Sequence, residues 1–250
     1  MTREAIIVTH HPLDAPGAIA RELLVRGVTL REVRAYAGDE VPAALDHASA
    51  LVVMGGPMAA DDDAAHPFLA AEKRLLAAAT SAGAHVLGVC LGSQLLACAN
   101  GGGIVRAGVR PMEIGWYEVE RSGDDPLFDA LPAKLTPFHW HGDLIVAPLD
   151  AVVLARSRVT PVQAFRVGER AYGIQFHLES TAAMIDAMAR DGADELASEG
   201  LDLGAIEEAT RAYIGQQERL AARFFGAWAD EIAGDRGAET GALRGAYPDA

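Results

Sequence analysis

Between Leu75 and Val105 the chain carries no Asp, Glu, Lys or Arg. An uncharged stretch of that length could span a bilayer. Its interior argues otherwise: Ser81, Gly83, His85, Gly88, Gly92, Ser93, Gln94, Asn100 and the Gly101-Gly102-Gly103 run interrupt it. Glycines on both sides of a short apolar run divide the stretch into helix, turn, strand, sharp turn and helix. The strand, His85 to Val89, reads as a core strand covered on both faces, as the strands of parallel sheets are. No membrane span is expected.

The same rhythm runs through the N-terminal part of the chain. Glu4 to Thr9 reads as a short apolar strand. Gly17 to Arg26 has helical spacing, with Ile19, Leu23 and Leu24 on one side and Gly27 as a stop. Thr29 to Arg34 is a second strand, and Val41 to His47 predicts a short helix. Ala50 to Met54 is an apolar run broken at Gly55-Gly56-Pro57. Pro67 to Ala82 and Gly92 to Asn100 are further helices. Strands alternating with helices imply parallel βαβ units and a doubly wound sheet. After Gly103 the segments turn mostly to β-type: Glu113–Arg121, Leu135–Trp140, Leu144–Val146, Val152–Ala155, Val162–Val167 and Ala171–Phe176. They predict a mixed or antiparallel extension of the same core. Ala182–Arg190 and Leu203–Ile232 return to helical spacing. The expected fold is therefore α/β, a doubly wound, mostly parallel sheet flanked by helices, with a small antiparallel β extension. Residues 1–233 read as a single domain, and 234–250, rich in Gly and Ala, as a flexible tail.

Composition narrows the function. A 250-residue chain that is 50% hydrophobic and 22% charged is long enough to bury a core and is not disordered. Its net charge, 21 − 35 = −14, repels phosphate. That argues against a sequence-independent nucleic-acid binder or a binder of anionic membranes. The two cysteines are Cys90 and Cys98. On one helix their Cα atoms would lie about 12 Å apart, too far for a disulfide. Met1 to His11 lacks the marks of a signal peptide. A reducing cytoplasm is the expected location.

Gly88-Val89-Cys90-Leu91-Gly92, between an apolar strand and a helix, has the form of a nucleophile elbow with Cys in the reactive position. The glycines suit a strained turn whose neighbours come close. Cys90 would stand at a helix N-terminus, where the dipole favours a thiolate over a thiol of free pKa roughly 8.5. A nucleophile of this kind needs a base, and the base an orienting group. Gly173-Ile174-Gln175-Phe176-His177-Leu178-Glu179 supplies both, His177 at a strand end and Glu179 two residues on. In an extended chain the two side chains share a face. Acyl transfer also needs an oxyanion hole. The N–H of Leu91 is one expected donor and that of Gly56 the second. The C-terminal ends of parallel strands converge on one face, so Gly56, Cys90 and His177 can meet.

Met54-Gly55-Gly56-Pro57, Gly88-Val89-Cys90-Leu91-Gly92-Ser93-Gln94 and Gly173 to Glu179 together resemble, in order and spacing, the three signatures of class I (triad-type) glutamine amidotransferases. The resemblance extends from about Ala5 to Ala189 and implies a flavodoxin-like sheet. His10-x-Pro12-x-Asp14-x-Pro16-Gly17, Glu113-Ile114-Gly115-Trp116 and His139-Trp140-His141-Gly142-Asp143 resemble a stand-alone subgroup. That subgroup is similar to the glutaminase half of GMP synthase, without an ATP-pyrophosphatase domain. Leu178 departs from the Pro that many members carry between the His and the Glu, which loosens the turn but removes no catalytic group. The resemblance implies that Cys90 attacks the carboxamide of glutamine, that Gly56 and Leu91 hold the oxyanion, and that His177 moves the proton while Glu179 orients it. It also implies that Gln94, Trp140, Gly142 and Asp143 hold the amino-acid end of the substrate.

Other signals are weaker. His139 and His141, two apart on a strand, form a conceivable metal pair, but no Cys or third His stands at ligand spacing, and no metal is expected. Asp61-Asp62-Asp63 reads as a solvated loop before a helix. Cys98, among Leu95, Leu96 and Ala99, reads as core. His10 and His11 fit either the mouth of the site or a plain loop. No Walker loop or G-x-G-x-x-G follows the first strand, so no nucleotide cofactor is expected. The leading reading is an amidotransferase releasing ammonia for an acceptor, with a separate synthase subunit as a partner. The alternative is a γ-glutamyl peptide or amide hydrolase using the same triad and no partner. A non-catalytic module is disfavoured by the intact triad. A PfpI-type protease is disfavoured by Leu91 in place of a His, and an α/β-hydrolase by Glu179 following His177 in chain order.

Overall fold

The structure, a computed structural model, describes residues 3–108 and 112–234. The N-terminal half alternates β1 (Glu4–Thr9), α1 (Gly17–Val25), β2 (Thr29–Arg34), β3 (Ala50–Val53), α2 (Phe68–Ser81), β4 (His85–Val89) and α3 (Leu91–Ala99). Short strands follow: β5 (Gly103–Val105), β6 (Glu113–Trp116), β7 (Val119–Arg121), β8 (Lys134–Leu135), β9 (Phe138–His141), β10 (Leu144–Val146), β11 (Val152–Ser157), β12 (Ala164–Val167) and β13 (Ala171–Ile174). Helices α4 (Ala182–Asp191), α5 (Ala193–Ser198) and α6 (Leu203–Gly234) end the described chain. The tail expected beyond Gly234 lies outside the described residues.

Nine strands form one mixed sheet in the order β2-β1-β3-β4-β13-β12-β11-β7-β8. Its first five are parallel, with β13 entering beside β4. From β13 outward the pairing is antiparallel. Two small antiparallel sheets, β5–β10 and β6–β9, stand apart from it. The expected architecture is thus present: a parallel core flanked by helices and extended by antiparallel strands.

Alternation along the strands assigns the two faces. In β1, Ala5 and Ile7 point toward α1 and α6, where they join Leu23, Phe224, Phe225 and Trp228. Ile6 and Val8 point the other way, toward Leu75 and Leu76 of α2 and Leu95 and Leu96 of α3. With both faces covered, the central strands need no polar residues, which is why they read as continuous apolar runs. A third cluster joins Ile114 of β6 and Phe138 of β9 to Ile185, Leu196 and Ile206 of the C-terminal helices. Among the described residues no helix is long and apolar enough to cross a membrane.

One expected element is absent. Val41 to His47 forms bends and a turn rather than a helix, with Asp46 at φ +53°. Val41 and Leu45 do pack on the sheet as a helical spacing would place them. A segment this short does not sustain a helix without further support. Helix α5 and the short turns of helix at Ala35–Ala37 and Phe128–Ala130 are additions that periodicity did not reveal.

Helix α3 crosses the sheet at unusually short range. A Cβ on Gly92 would lie 1.9 Å from the Val53 carbonyl oxygen, and one on Gly88 would lie 2.4 Å from that of Gly92. Both contacts are backbone and cannot yield locally. Gly92→Ala should therefore destabilise the protein by about 3 kcal/mol or prevent folding. Urea unfolding of this variant beside Gly103→Ala, where a Cβ meets nothing within 4 Å and φ is not positive, checks it. Equal midpoints would contradict the packing argument.

Candidate active site

Cys90 follows directly from β4 and caps α3 with φ 51° and ψ −109°. Positive φ in a residue with a side chain is strained, and the surroundings hold it. Its N–H donates to the Ile174 carbonyl at the end of β13. Its carbonyl accepts from the N–H groups of Ser93 and Gln94 and, at 2.6 Å, from the Ser93 hydroxyl. The next glycine, Gly92, donates to Met54 at the end of β3. The elbow is thus tied to both neighbouring strands, which carry the other two signature segments. Cys90 Sγ lies 3.7 Å from the Trp140 carbonyl and 3.7 Å from Gln175 Nε2, which points its N–H at the sulfur.

His177 stands three residues beyond β13. Its backbone N–H donates to the Phe138 carbonyl of β9 at 2.8 Å, and its ring Nδ1 contacts Glu179 Oε1 at 2.8 Å. Both side chains are buried. The chain here is a turn, not the extended strand that the spacing suggested. Leu178, in place of the Pro of many relatives, is buried in the core and anchors that turn. The first turn of α1 steadies it as well, through the Ala18 N–H on the Glu179 carbonyl at 3.0 Å. Burial alone would lower the His177 pKa. The Glu179 carboxylate and the facing Cys90 sulfur outweigh burial and hold it well above the ordinary imidazole value.

The loop after β3 completes this edge of the sheet. A Cβ built on Gly55 would lie 3.2 Å from His177 Cε1, 3.4 Å from Asp14 Oδ1 and 3.6 Å from Cys90 Cβ, so these three side chains surround one backbone carbon. Among the described residues, the N–H groups of Gly56 and Leu91 donate to no backbone carbonyl. A cavity of about 410 Å³ opens here. Its lining includes Gly56, Cys90, Leu91, Gln94, Trp140, Gly142, Asp143 and His177. Glu179 alone of the expected site residues lies behind the wall, against His177.

The sequence pattern of the family described as glutamine amidotransferase class-I matches residues 15–191. The chain belongs to the class I glutamine amidotransferase family. A glutamine amidotransferase-like protein of Salmonella typhimurium, YfeJ, is 33% identical over 196 residues, covering 76% of this chain and 81% of that one. GMP synthase (glutamine-hydrolysing) of Aeropyrum pernix is 33% identical over 184 residues, covering 67% of this chain but only 33% of the synthase. The chain thus spans about a third of the length of that synthase. A crystal structure of a glutamine amidotransferase from Thermotoga maritima superposes with a TM-score of 0.84 at 27% identity, over 92% of this chain and 99% of that one.

Within this family framework the remaining residues find their positions. Trp140 walls the cavity, its indole N–H donating to Glu195 at 2.7 Å. Asp143 accepts the Ala107 N–H at 2.6 Å, and Gln94 donates to the Gln175 side chain at 3.4 Å. Cys98 is half-buried, and burial pushes its thiol up, away from the reactive range. The Asp61–Asp63 loop is held by ion pairs, Asp61 and Asp62 to Arg106 and Asp63 to Lys73.

Several residues escaped the sequence reading. Asp14 lines the cavity beside His177; burial raises its carboxyl pKa, with His177 and His11 opposing. A carboxylate just past the C-terminal end of the first strand was the available signal. Gln175 stood inside a recognised motif without a role. His10 is neither at the cavity mouth nor in a plain loop. Its Nδ1 contacts the Gly55 carbonyl and its Nε2 contacts Glu72 Oε2 of α2, both at 2.8 Å, with both side chains fully buried. Both partners are oxygens, an arrangement that favours donation from both ring nitrogens. Burial opposes a charge on the ring; Glu72, the Gly55 carbonyl and Asp14 override it and raise the His10 pKa.

A pH dependence of stability follows. His10 and His177 both have folded pKa values raised above the unfolded value of about 6.5. Between 6.5 and those values the folded state binds more protons than the unfolded. Their contribution is complete below pH ~6.5 and declines as pH rises through the folded values. Urea midpoints should fall from pH 6.5 upward, and Glu72→Gln, which removes the charge on His10, should flatten that fall. An unchanged slope in the variant would show that His10 is not the cation.

Proposed function

We propose that the protein is a glutamine amidotransferase-type amidohydrolase with a Cys90–His177–Glu179 triad. The Cys90 sulfur attacks the side-chain carboxamide carbon of glutamine. The oxyanion forms against the N–H groups of Gly56 and Leu91. His177 takes the thiol proton and delivers it to the departing ammonia, and Glu179 keeps the imidazole aligned. Water, deprotonated by His177, then hydrolyses the γ-glutamyl thioester to glutamate and frees Cys90. Gln94, Trp140, Gly142 and Asp143 hold the amino-acid end. The observation that carries this reading is the strained Cys90 elbow facing a buried imidazole bonded at 2.8 Å to a buried carboxylate. The free thiols of Cys90 and Cys98 fit a reducing, cytoplasmic setting. The likeness to GMP synthases supports transfer of the ammonia to an acceptor.

The pairing of His10 with Gly55 supports the oxyanion assignment. In a trans peptide the carbonyl of Gly55 and the N–H of Gly56 point in opposite directions. A donor locked onto the Gly55 oxygen therefore aims the Gly56 N–H away from His10. A Cβ on Gly56 would lie 2.6 Å from the His10 Cβ, so no other residue fits that packing. His10 is in this reading a positioning residue, acting through the peptide plane. His10→Gln should lower kcat by about 10²-fold with little change in KM. A pure KM effect would remove it from this role.

A cavity of about 410 Å³ has room beyond a single amino acid, which favours γ-glutamyl amides or peptides as a second reading. Glutamate release from glutamine and from a γ-glutamyl dipeptide decides between them. Preference for glutamine supports the amidotransferase; rapid turnover of the dipeptide alone supports the hydrolase. In both cases Cys90→Ala abolishes turnover and Cys98→Ala leaves it nearly unchanged. The reverse pattern would overturn the triad. Glu179→Gln should move the alkaline limb of the kcat/KM profile down by about 1–3 pH units, because the imidazolium loses its counter-charge. An unmoved limb would deny Glu179 that role.

A further inference from the structure

At the wall of the cavity, which His141 lines, stands a second group of buried polar side chains that the triad does not use. Glu113 of β6 pairs in register with His141 of β9, and His139 lies on the same face of β9. All three are buried, and one ligating atom from each lies within 4.8 Å of the others. We propose that Glu113, His139 and His141 form a structural site for a divalent transition metal of the zinc type, bound by His139 Nδ1, His141 Nε2 and a carboxylate oxygen of Glu113.

The spacing is the first argument. Ligands about 2.0–2.1 Å from a tetrahedral zinc lie about 3.4 Å from one another. His141 Nε2 lies 3.4 Å from His139 Nδ1 and 3.4 Å from Glu113 Oε2. Two nitrogens at that separation are too far apart for a good hydrogen bond and suit a shared ion. The second argument is what the rings lack. Buried polar groups are normally hydrogen-bonded. Among the described residues the facing nitrogens, His139 Nδ1 and His141 Nε2, make no polar side-chain contact shorter than 3.4 Å.

The third argument is charge. Glu113 accepts from Ser157, Thr160 and Gln163 at 2.5–2.8 Å, all neutral donors. No Lys or Arg among the described residues forms an ion pair with it. A buried carboxylate and two buried imidazoles whose ligating atoms converge on one point are the donor set a divalent cation satisfies. An ion here would clamp β6, β9 and the β11–β12 connection behind Trp140, whose carbonyl faces Cys90.

The test uses the full chain carrying Cys90→Ala and Cys98→Ala, so that no thiol competes for metal. After chelation and dialysis, Co²⁺ and Zn²⁺ are added separately. One Co²⁺ per chain with a tetrahedral ligand-field spectrum is expected, together with a rise in Tm on the order of 5 °C under excess Zn²⁺. Glu113→Gln, close to isosteric, should weaken binding at least tenfold, and His139→Gln and His141→Gln should abolish the spectrum. No binding to the folded thiol-free chain would overturn the proposal. So would equal binding by Glu113→Gln and both histidine variants, since the ion would then sit elsewhere.

Discussion

Cys90 sits where the sheet and the chemistry meet, and its strained backbone is kept in place by the strands on either side. The N–H of Cys90 is bound to the end of β13, and the N–H of Gly92 to the end of β3. Those two strands lead into His177 and into Gly55-Gly56. A backbone conformation that costs roughly 1–3 kcal/mol by itself persists only where its surroundings over-determine it. Here the same hydrogen bonds that hold the elbow also set its distance from the imidazole and from the glycine loop. Close passage of α3 over Val53, possible only without a side chain at Gly92, makes this arrangement reachable.

Around that point the protein buries charge in pairs. His177 with Glu179 and His10 with Glu72 are each fully or almost fully enclosed. Burying one ion of such a pair alone would be prohibitive, and even a good pair only partly recovers the loss of water. Neither pair is therefore best understood as a source of stability. Each instead fixes an orientation. Glu179 fixes the imidazole ring, and His10 fixes the peptide plane between Gly55 and Gly56. Low exposure strengthens this control, because competing water is absent and the hydrogen bonds are short.

Legibility in the sequence followed the same division. Strands β1 and β4 appear at the expected residues because both faces of the sheet are covered there and glycines punctuate the turns; the edge strand β2 also appears where expected, with Val33 alone of its residues buried. Cys90, His177 and Glu179 stood out in the sequence because the proposed roles of nucleophile, base and orienting acid call for those residue types at strand ends. The route to the His177–Glu179 contact was not visible: it runs through a turn anchored by Leu178 and by α1, not through an extended strand. The helix expected over Val41–His47 failed because an apolar spacing of four residues also suits an irregular segment laid over the sheet. The roles of Glu72, Asp14 and Glu113 were illegible for a common reason, although Asp14 and Glu113 stood inside quoted motifs. Each meets its histidines through tertiary packing or strand register, and no local spacing encodes that.

The two halves of the cavity wall consequently differ in kind. The triad side is built on parallel strands embedded between two large apolar clusters, and a displacement there must move the core. The opposite side rests on the two-stranded sheet β6–β9, on Ala107 and Met112, and on α5, backed only by the smaller cluster around Ile114 and Phe138. Trp140 reaches across this gap to Glu195, and its indole sits so close to Gly192 that a Cβ there would lie 2.4 Å away. In the proposed function, the steps common to every γ-glutamyl substrate fall on the rigid side, and discrimination between ammonia and a larger leaving amine on the side whose supports are few. The buried Glu113–His139–His141 group belongs to that second side, where His141 itself lines the cavity, so the proposed ion would brace the part of the wall whose supports are few.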